Sequence, residues 1–297
     1  MKPLLHIFRI RFLNKVRLTC AIAKTIYLIY RLPYTDRVSK VVSDQYNQGT
    51  WKLLLDKYNN LSLLPNSLED FLFKKVTLKD RSYSKNKFSL VNCGKLVMIR
   101  YEEYLKYKAM RLHRSIPVEI DSIVEVGCGY GWNLAALRYH GFVGKLSGVD
   151  ISENGIKLSN LISNKYNLNF KTRVMDIKKL DPDIESLYPV DLILIYQVLE
   201  QLHGNVEKIL FNLVKIFPNT RFLVIESAAE LFPKNLNLLM TKLYINKQGY
   251  QKSVLRTCKA MVKMDLINNL KFERYFCSGK FGHESIKIEF VSGPKIF

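Results

Sequence analysis

The chain has 297 residues, 48% of them hydrophobic, which is enough for one full α/β core plus a substantial appendage and argues for a folded protein. Its five cysteines, at 20, 93, 128, 258 and 277, form no C-x-x-C and stand near no His pair, so they suggest neither a zinc site nor a disulfide framework and fit a reduced cytosolic setting. The formal net charge of +20 sits on the flanks: Lys and Arg against Asp and Glu number 23 to 8 in residues 1–118, 11 to 14 in 119–230, and 12 to 4 in 231–297.

Basic flanks around a slightly acidic centre point either to an anionic partner (a membrane surface, a phosphorylated acceptor or nucleic acid) or to plain solvated lysine-rich faces. Residues 1–32 hold seven Lys and Arg and no acid, interleaved with Ile7, Phe8, Ile10, Phe12 and Leu13. Their uncharged runs are too short to span a bilayer, which takes about 20 apolar residues, and no secretory cleavage pattern follows. Two readings stand open here. One is an interfacial helix at the inner face of the cytoplasmic membrane, with Tyr27 and Tyr30 at headgroup level; the other is a helix packed on its own domain or a partner. From Asp44 to Asp70 short helices are predicted, with Trp51, Leu54, Leu55 and Tyr58 recurring at helical spacing as a buried stripe. Thr77 to Asn92 is polar and basic and reads as a loop or cover. Tyr101 to Arg114 reads as a helix, ended by Pro117.

Ser122 to Asn133 then runs Ser-Ile-Val-Glu-Val-Gly-Cys-Gly-Tyr-Gly-Trp-Asn. Hydrophobic residues around Glu125 predict a buried strand. Gly127, Gly129 and Gly131 predict a tight turn that a ligand can approach without Cβ atoms in the way, and a helix follows from Trp132 to about His140. A second strand, Lys145 to Ile151, contains Asp150, 19 residues beyond Gly131. A carboxylate there either accepts from two ribose hydroxyls or caps the helix that begins near Ser152.

These residues resemble the class I S-adenosylmethionine-dependent methyltransferases. Glu-Val-Gly-Cys-Gly-Tyr-Gly at 125–131 looks like their first motif, and Asp150 matches their ribose-binding acid. The spacing is G-x-G-x-G, whereas a dinucleotide dehydrogenase more often shows G-x-G-x-x-G. The resemblance implies S-adenosylmethionine as cofactor and a cofactor site built from Glu125, Gly127, Cys128, Gly129, Gly131, Asp150, Ile151, Asp176, Ile177 and Gln197. It also implies that segments before the first strand close over the cofactor, with Arg100 and Tyr101 as contacts or as surface decoration.

Beyond Ser152 a helix runs to about Tyr166. Asn169 to Ile177 reads as a third strand closing on Asp176, which the resemblance assigns to the adenine amino group, with Ile177 beside the ring; the alternative is a turn cap. Val190 to Val198 is continuously apolar and reads as the central strand of a parallel sheet. The Val-Leu-Glu-Gln-Leu that follows resembles the family's Val-Leu-Glu-His-Leu, with Gln201 where His is usual; Glu200 and His203 lie beside it. A helix, Asn205 to Phe217, and a strand, Thr220 to Glu226, come next. A Lys-rich insertion, 231–270, is predicted as two helices, about Lys234 to Asn246 and Tyr250 to Leu266. Strands at Phe272 to Cys277 and Ile286 to Val291 end the pattern, and the loop between them carries Lys280, His283 and Glu284.

The expected fold is a doubly wound, Rossmann-like α/β domain over 116–297 behind a basic, mostly helical region over 1–115. The resemblance adds a seven-stranded, mostly parallel sheet whose last strand is antiparallel. The expected activity is methyl transfer to a hydroxyl of a saccharide, a saccharide-lipid or another small-molecule acceptor, with His283, His203 and Glu200 as candidate catalytic residues and no metal. The competing readings are an RNA or other nucleic-acid methyltransferase and a non-catalytic scaffold that keeps the fold.

Overall fold

The computed structural model describes residues 44–59, 64–74, 88–92, 95–179, 189–202, 206–227, 253–275 and 285–294, together with helical positions at 23, 27, 30, 242–243 and 245–247 and a turn position at 31. Most of residues 1–32, the start of the expected insertion helices, and His203, Lys280, His283 and Glu284 lie outside the described residues. Among those described, no helix is long and apolar enough to cross a membrane, and no cluster of His, Cys, Asp or Glu could hold a metal ion.

A π-helical stretch, Asp44–Trp51, leads into α1 (Lys52–Tyr58), and α2 (Leu68–Phe73) follows. The Ser67 hydroxyl accepts from the Asp70 N–H at 3.1 Å and so caps α2. The segment expected as a loop up to Asn92 ends instead in a strand: β1 (Phe88–Asn92) pairs antiparallel with β2 (Lys95–Ile99), Asn92 opposite Lys95. The basic residues that precede it, Lys79, Arg81, Lys85 and Lys87, masked the strand alternation of a tight hairpin. Helix α3 (Tyr101–Arg114) spans the expected residues, with Glu102 and Glu103 in its first turn and Arg111, His113 and Arg114 in its last, each sign at the favoured end of the helix dipole.

The remaining elements alternate strand and helix: β3 (Ser122–Val126), α4 (Trp132–Tyr139), β4 (Lys145–Asp150), α5 (Glu153–Lys165), β5 (Phe170–Val174), β6 (Leu192–Tyr196), α6 (Val206–Ile216), β7 (Arg221–Ser227), α7 (Val254–Lys263), β8 (Ile267–Tyr275) and β9 (Ser285–Ser292). They form one seven-stranded sheet in the order β5-β4-β3-β6-β7-β9-β8, in which β3 to β7 are parallel and β9 runs antiparallel to both of its neighbours. The expected sheet is therefore present, last strand included. Strand β8 starts five residues earlier than the expected Phe272, at Ile267, with a register shift between Asn268 and Lys271.

Strand alternation divides the core in two. Ile123, Leu192, Leu194, Leu223 and Ile225 face α1 to α5, whereas Val124, Ile193, Ile195, Phe222 and Val224 face α6 and α7. Every residue of Leu192–Tyr196 is buried, as the continuous apolar run requires of a central strand. The N-terminal stripe is buried as expected except at Trp51, which is half-buried. Leu54, Leu55 and Tyr58 share a core with Phe71 of α2, Leu134 of α4 and Ile156 of α5. Each such fully buried side chain contributes about 1.5–3 kcal/mol.

Candidate active site

The carboxyl ends of β3, β4 and β6 meet at the glycine turn. Gly127 and Cys128 donate their N–H groups to the Val149 carbonyl of β4 at 2.7 and 3.1 Å, and Gly131 donates to the Cys128 carbonyl at 2.8 Å, so the turn is fixed to the neighbouring strand. Gly127 has φ of +73°, and a Cβ there would collide with the branched side chain of Val198. Glycine is thus required on both backbone and steric grounds. Cys128 is a packing residue: its sulfur stands where a Cβ on Gly148 would come within 2.7 Å, and burial pushes its thiol well above the usual range, away from the reactive thiolate.

Asp150 ends β4 and is tied to the turn. Gly129 N–H donates to its Oδ2 and Ser152 N–H to its Oδ1, both at 2.8 Å. Burial raises the carboxyl's pKa, and these two amides pull it back. A carboxylate has about four acceptor positions, so each oxygen can still receive a hydroxyl. The cap expected as the alternative role belongs to Ser152, whose hydroxyl accepts from Gly155 N–H at 3.0 Å. Ile151 next to it is 40% exposed and offers an apolar face at the rim. Asp176 lies just past β5; its Oδ1 accepts from Lys178 N–H at 3.0 Å and so caps the turn, with Ile177 buried behind it.

The N-terminal segment supplies a wall that the sequence reading missed. Asn47 Oδ1 accepts from the Ser152 hydroxyl and the Asn154 N–H, each at 3.0 Å, while Asn154 Nδ2 donates to the Asn47 carbonyl at 2.8 Å. Trp51 packs over Gly129 and Gly155 and tilts onto Tyr130 with ring centroids 5.0 Å apart. The periodicity marked Trp51 only as part of a buried stripe, because what it packs against is set by tertiary contact. Arg100 and Tyr101, expected as lid contacts or surface decoration, make contacts within the first turn of α3. Arg100 pairs with Glu103 at 2.7 Å, and Tyr101 stacks on Tyr104.

Glu125 is 1% exposed on β3. Asn133 Nδ2 donates to its Oε1, while Glu125 Oε2 and Asn133 Oδ1 are buried without a hydrogen-bond partner among the described residues. Burial lifts the Glu125 carboxyl to about 8 against the pull of Asn133 and Lys108. Two orphaned acceptors at the foot of the glycine turn suit a ligand ammonium. Facing them from α3, Lys108 stands 4.5 Å from the ring centroids of both Trp132 and Tyr196, and burial lowers it to about 8.

At the end of β6 the backbone is strained: Gln197 is left-handed, with φ of +58°. Such a conformation in a non-glycine residue clusters at ligand sites. It is held by its N–H on the Ile225 carbonyl at 2.8 Å and by Gln201 Nε2 on its own carbonyl at 2.8 Å. Glu226 of β7 accepts from the N–H groups of Val198, Leu199 and Glu200 at 2.9, 2.9 and 3.1 Å, and Glu200 Oε2 accepts from Ser227 N–H at 2.7 Å. Both carboxyl groups are buried. Burial and the nearby Glu200 push Glu226 well above the usual carboxylate range. Glu200, expected as a catalytic candidate, thus has a partner in the scaffold, where it helps lock the ends of β6 and β7 together.

Comparison with known proteins decides the family. A methyltransferase-domain family model matches residues 99–261, more than half of the chain, including the glycine turn, Asp150, Asp176 and the end of β6. The chain belongs to this methyltransferase family. As a methyltransferase domain it takes S-adenosylmethionine as methyl donor, the molecule that the glycine turn and the two acids imply. Among solved structures the methyltransferase is similar to magnesium protoporphyrin IX methyltransferase from Synechocystis PCC 6803 with bound S-adenosylhomocysteine, at 13% identity and a TM-score of 0.54, covering 86% of this chain and 100% of that one. That likeness shows the shared fold. The N-methyltransferase NodS from Bradyrhizobium japonicum aligns more loosely, with 14% identity, 64% of this chain, 87% of that one and a TM-score of 0.46. A search of curated proteins finds no match to the chain.

Proposed function

We propose that this methyltransferase methylates a hydroxyl of a small-molecule acceptor, a saccharide or saccharide-lipid, at the carboxyl edge of β3, β4 and β6. The observation that carries the donor side of the reading is the conjunction of the glycine turn with Asp150, whose two oxygens are already oriented by Gly129 and Ser152. In this reading Asp150 receives the ribose hydroxyls, Asp176 the adenine amino group with Ile177 and the exposed Ile151 beside the ring, and Glu125 with Asn133 the methionine ammonium. The amides at the start of α4 face the methionine carboxylate.

S-adenosylmethionine supplies an electrophilic methyl group on a sulfonium. The chain's residues align the acceptor in line with it and keep water out. Trp51, Tyr130 and the π-helical stretch form the cover that does so on the ribose side. A neutral hydroxyl must lose its proton during the step, and His283 and His203 are the proposed bases. The saccharide assignment rests on family analogy and on the basic N-terminus. We place residues 1–32 at the inner face of the cytoplasmic membrane, where each basic residue contributes about 1 kcal/mol on an anionic surface.

Incubating the full chain with deuterated-methyl donor and cell extract tests this reading. A labelled small molecule or glycan is expected. Label appearing only in RNA or DNA would favour the nucleic-acid reading instead, and no labelled species in any fraction would favour the scaffold.

A further inference from the structure

We propose that the acceptor carries an anionic group, a carboxylate or a phosphate, and that this group binds at Lys108 against a wall of hydroxyls beneath α3. The proposal rests on the methyl-transfer reading above and adds the chemical class of the acceptor.

The wall follows from strand register. Tyr196 of β6 pairs with Ile225 of β7, two residues before Ser227; Ser227 pairs with Ser285 of β9, and Ser285 with Tyr275 of β8. Paired residues share a face, and so do residues two apart. All four hydroxyl side chains therefore project from one face at the carboxyl edge of the sheet. That face is the one α3 covers, because Lys108 Nζ lies 4.5 Å from the Tyr196 ring centroid and the Arg111 guanidinium 4.7 Å from that of Tyr275. Tyr196, Ser227 and Ser285 are 6%, 2% and 1% exposed, and none of their hydroxyls has a hydrogen-bond partner among the described residues. Three buried hydroxyls on one face without a partner among the described residues are unusual in a finished core.

Lys108 brings a charge to this face that no ion pair takes up, whereas Lys287 on the same face is paired with Glu273 and Glu289. Among the described residues the Lys108 ammonium contacts two ring faces, Trp132 and Tyr196, and no carboxylate lies within ion-pair distance of it. Glu125 acts on it only through space, with one oxygen already held by Asn133. Arg111 is anchored by donating to Tyr107 Oη at 3.2 Å. Hydroxyls alone would serve a neutral sugar as well as an anion. A neutral ligand would leave the ammonium without a counter-charge, whereas a carboxylate or phosphate accepts from the ammonium and the hydroxyls together. The position suits the acceptor: Trp132 opens the helix after the glycine turn, and Tyr196 ends the central strand, so Lys108 stands between the two elements that border the cofactor edge.

The test uses the full chain saturated with S-adenosylhomocysteine and titrated with inorganic phosphate, and separately with acetate, at constant ionic strength set by chloride. Tryptophan fluorescence reports the binding, since Trp132 lies against Lys108. The expected result is a saturable change in the wild type that is weakened roughly tenfold or more in Lys108→Gln, with the affinity for S-adenosylhomocysteine by calorimetry unchanged. Tyr196→Phe, which removes only a hydroxyl, carries the same comparison if Lys108→Gln does not fold. No saturable change in the loaded wild type, or an equal change in the variant, would overturn the proposal. So would weakened S-adenosylhomocysteine binding in Lys108→Gln with phosphate competing against it, because the cofactor's own carboxylate would then be the occupant. Failure of the wild type to bind S-adenosylhomocysteine at all would instead count against the methyl-transfer reading.

Discussion

Trp51 lies so close over Gly129 that a Cβ on the glycine would stand 3.1 Å from the indole Cζ2. The segment ahead of the family domain is thereby packed over the glycine turn, and Asn47 fastens the same segment to the loop after Asp150.

Asn47→Ala removes the acceptor of two hydrogen bonds, to Ser152 Oγ and Asn154 N–H. A loss of about 1–3 kcal/mol of stability is expected, together with weaker S-adenosylhomocysteine binding and faster amide exchange over residues 44–58. Exchange mass spectrometry checks this directly. Unchanged exchange in that segment would show that the clamp does not hold it.

Two glycines separate strain from steric closure. Gly127→Ala meets both a φ of +73° and Val198, whereas Gly141→Ala meets a φ of +90° with open space around it. Both should lose about 1–2 kcal/mol from the left-handed backbone, and only Gly127→Ala should also lose S-adenosylhomocysteine binding. Calorimetry on the two variants decides it. Intact binding in Gly127→Ala would contradict the tight fit drawn for the turn.

Glu226 holds three backbone amides. Glu226→Ala leaves them buried without an acceptor, at about 1–3 kcal/mol each, so a loss of roughly 3 kcal/mol or more is expected in urea denaturation. Glu226→Gln keeps one carbonyl oxygen and should lose less. Equal stability of wild type and Glu226→Ala would mean that the end of β6 is held by other contacts.

The facing pair Lys108 and Glu125 sets opposite pH dependences. Lys108 is depressed to about 8, so its contribution to stability is complete above its unfolded value of about 10.4 and is lost as pH falls through about 8. Glu125 is raised to about 8, so its contribution is complete below about 4.3 and is lost as pH rises through about 8. Lys108→Met should gain on the wild type as pH falls from about 10 to 7, and Glu125→Gln as pH rises from about 4 to 8, each by on the order of a few kcal/mol. Urea midpoints measured across that range provide the check. Parallel curves for wild type and variants would mean that neither group is desolvated.

The parts of the site that lie within one stretch of chain were legible in the sequence. The glycine turn, the acid at the end of β4 and the apolar β6 each announce themselves by local pattern, and the parallel order of strands follows from strand and helix alternation. What was not legible is what distant segments do to one another. Lys108 is an ordinary helix lysine in the sequence and becomes notable only where α3 lays it between Trp132 and Tyr196. Ser227 and Ser285 meet through antiparallel register. That Glu200 and Glu226 would each hold backbone amides across the ends of β6 and β7 could not be read from the sequence either. The β1–β2 hairpin was hidden by its basic surroundings.

Whether the glycine turn and Asp150 together hold the methyl donor is tested most directly by titration calorimetry of S-adenosylhomocysteine into wild type and Asp150→Ala. The wild type should bind, and the variant, folded by circular dichroism, should bind more weakly by roughly 1.5–3 kcal/mol, the worth of a hydrogen bond to a charged group. Equal affinity in the two proteins would contradict the account, because the carboxylate that Gly129 and Ser152 orient would then have no part in holding the cofactor.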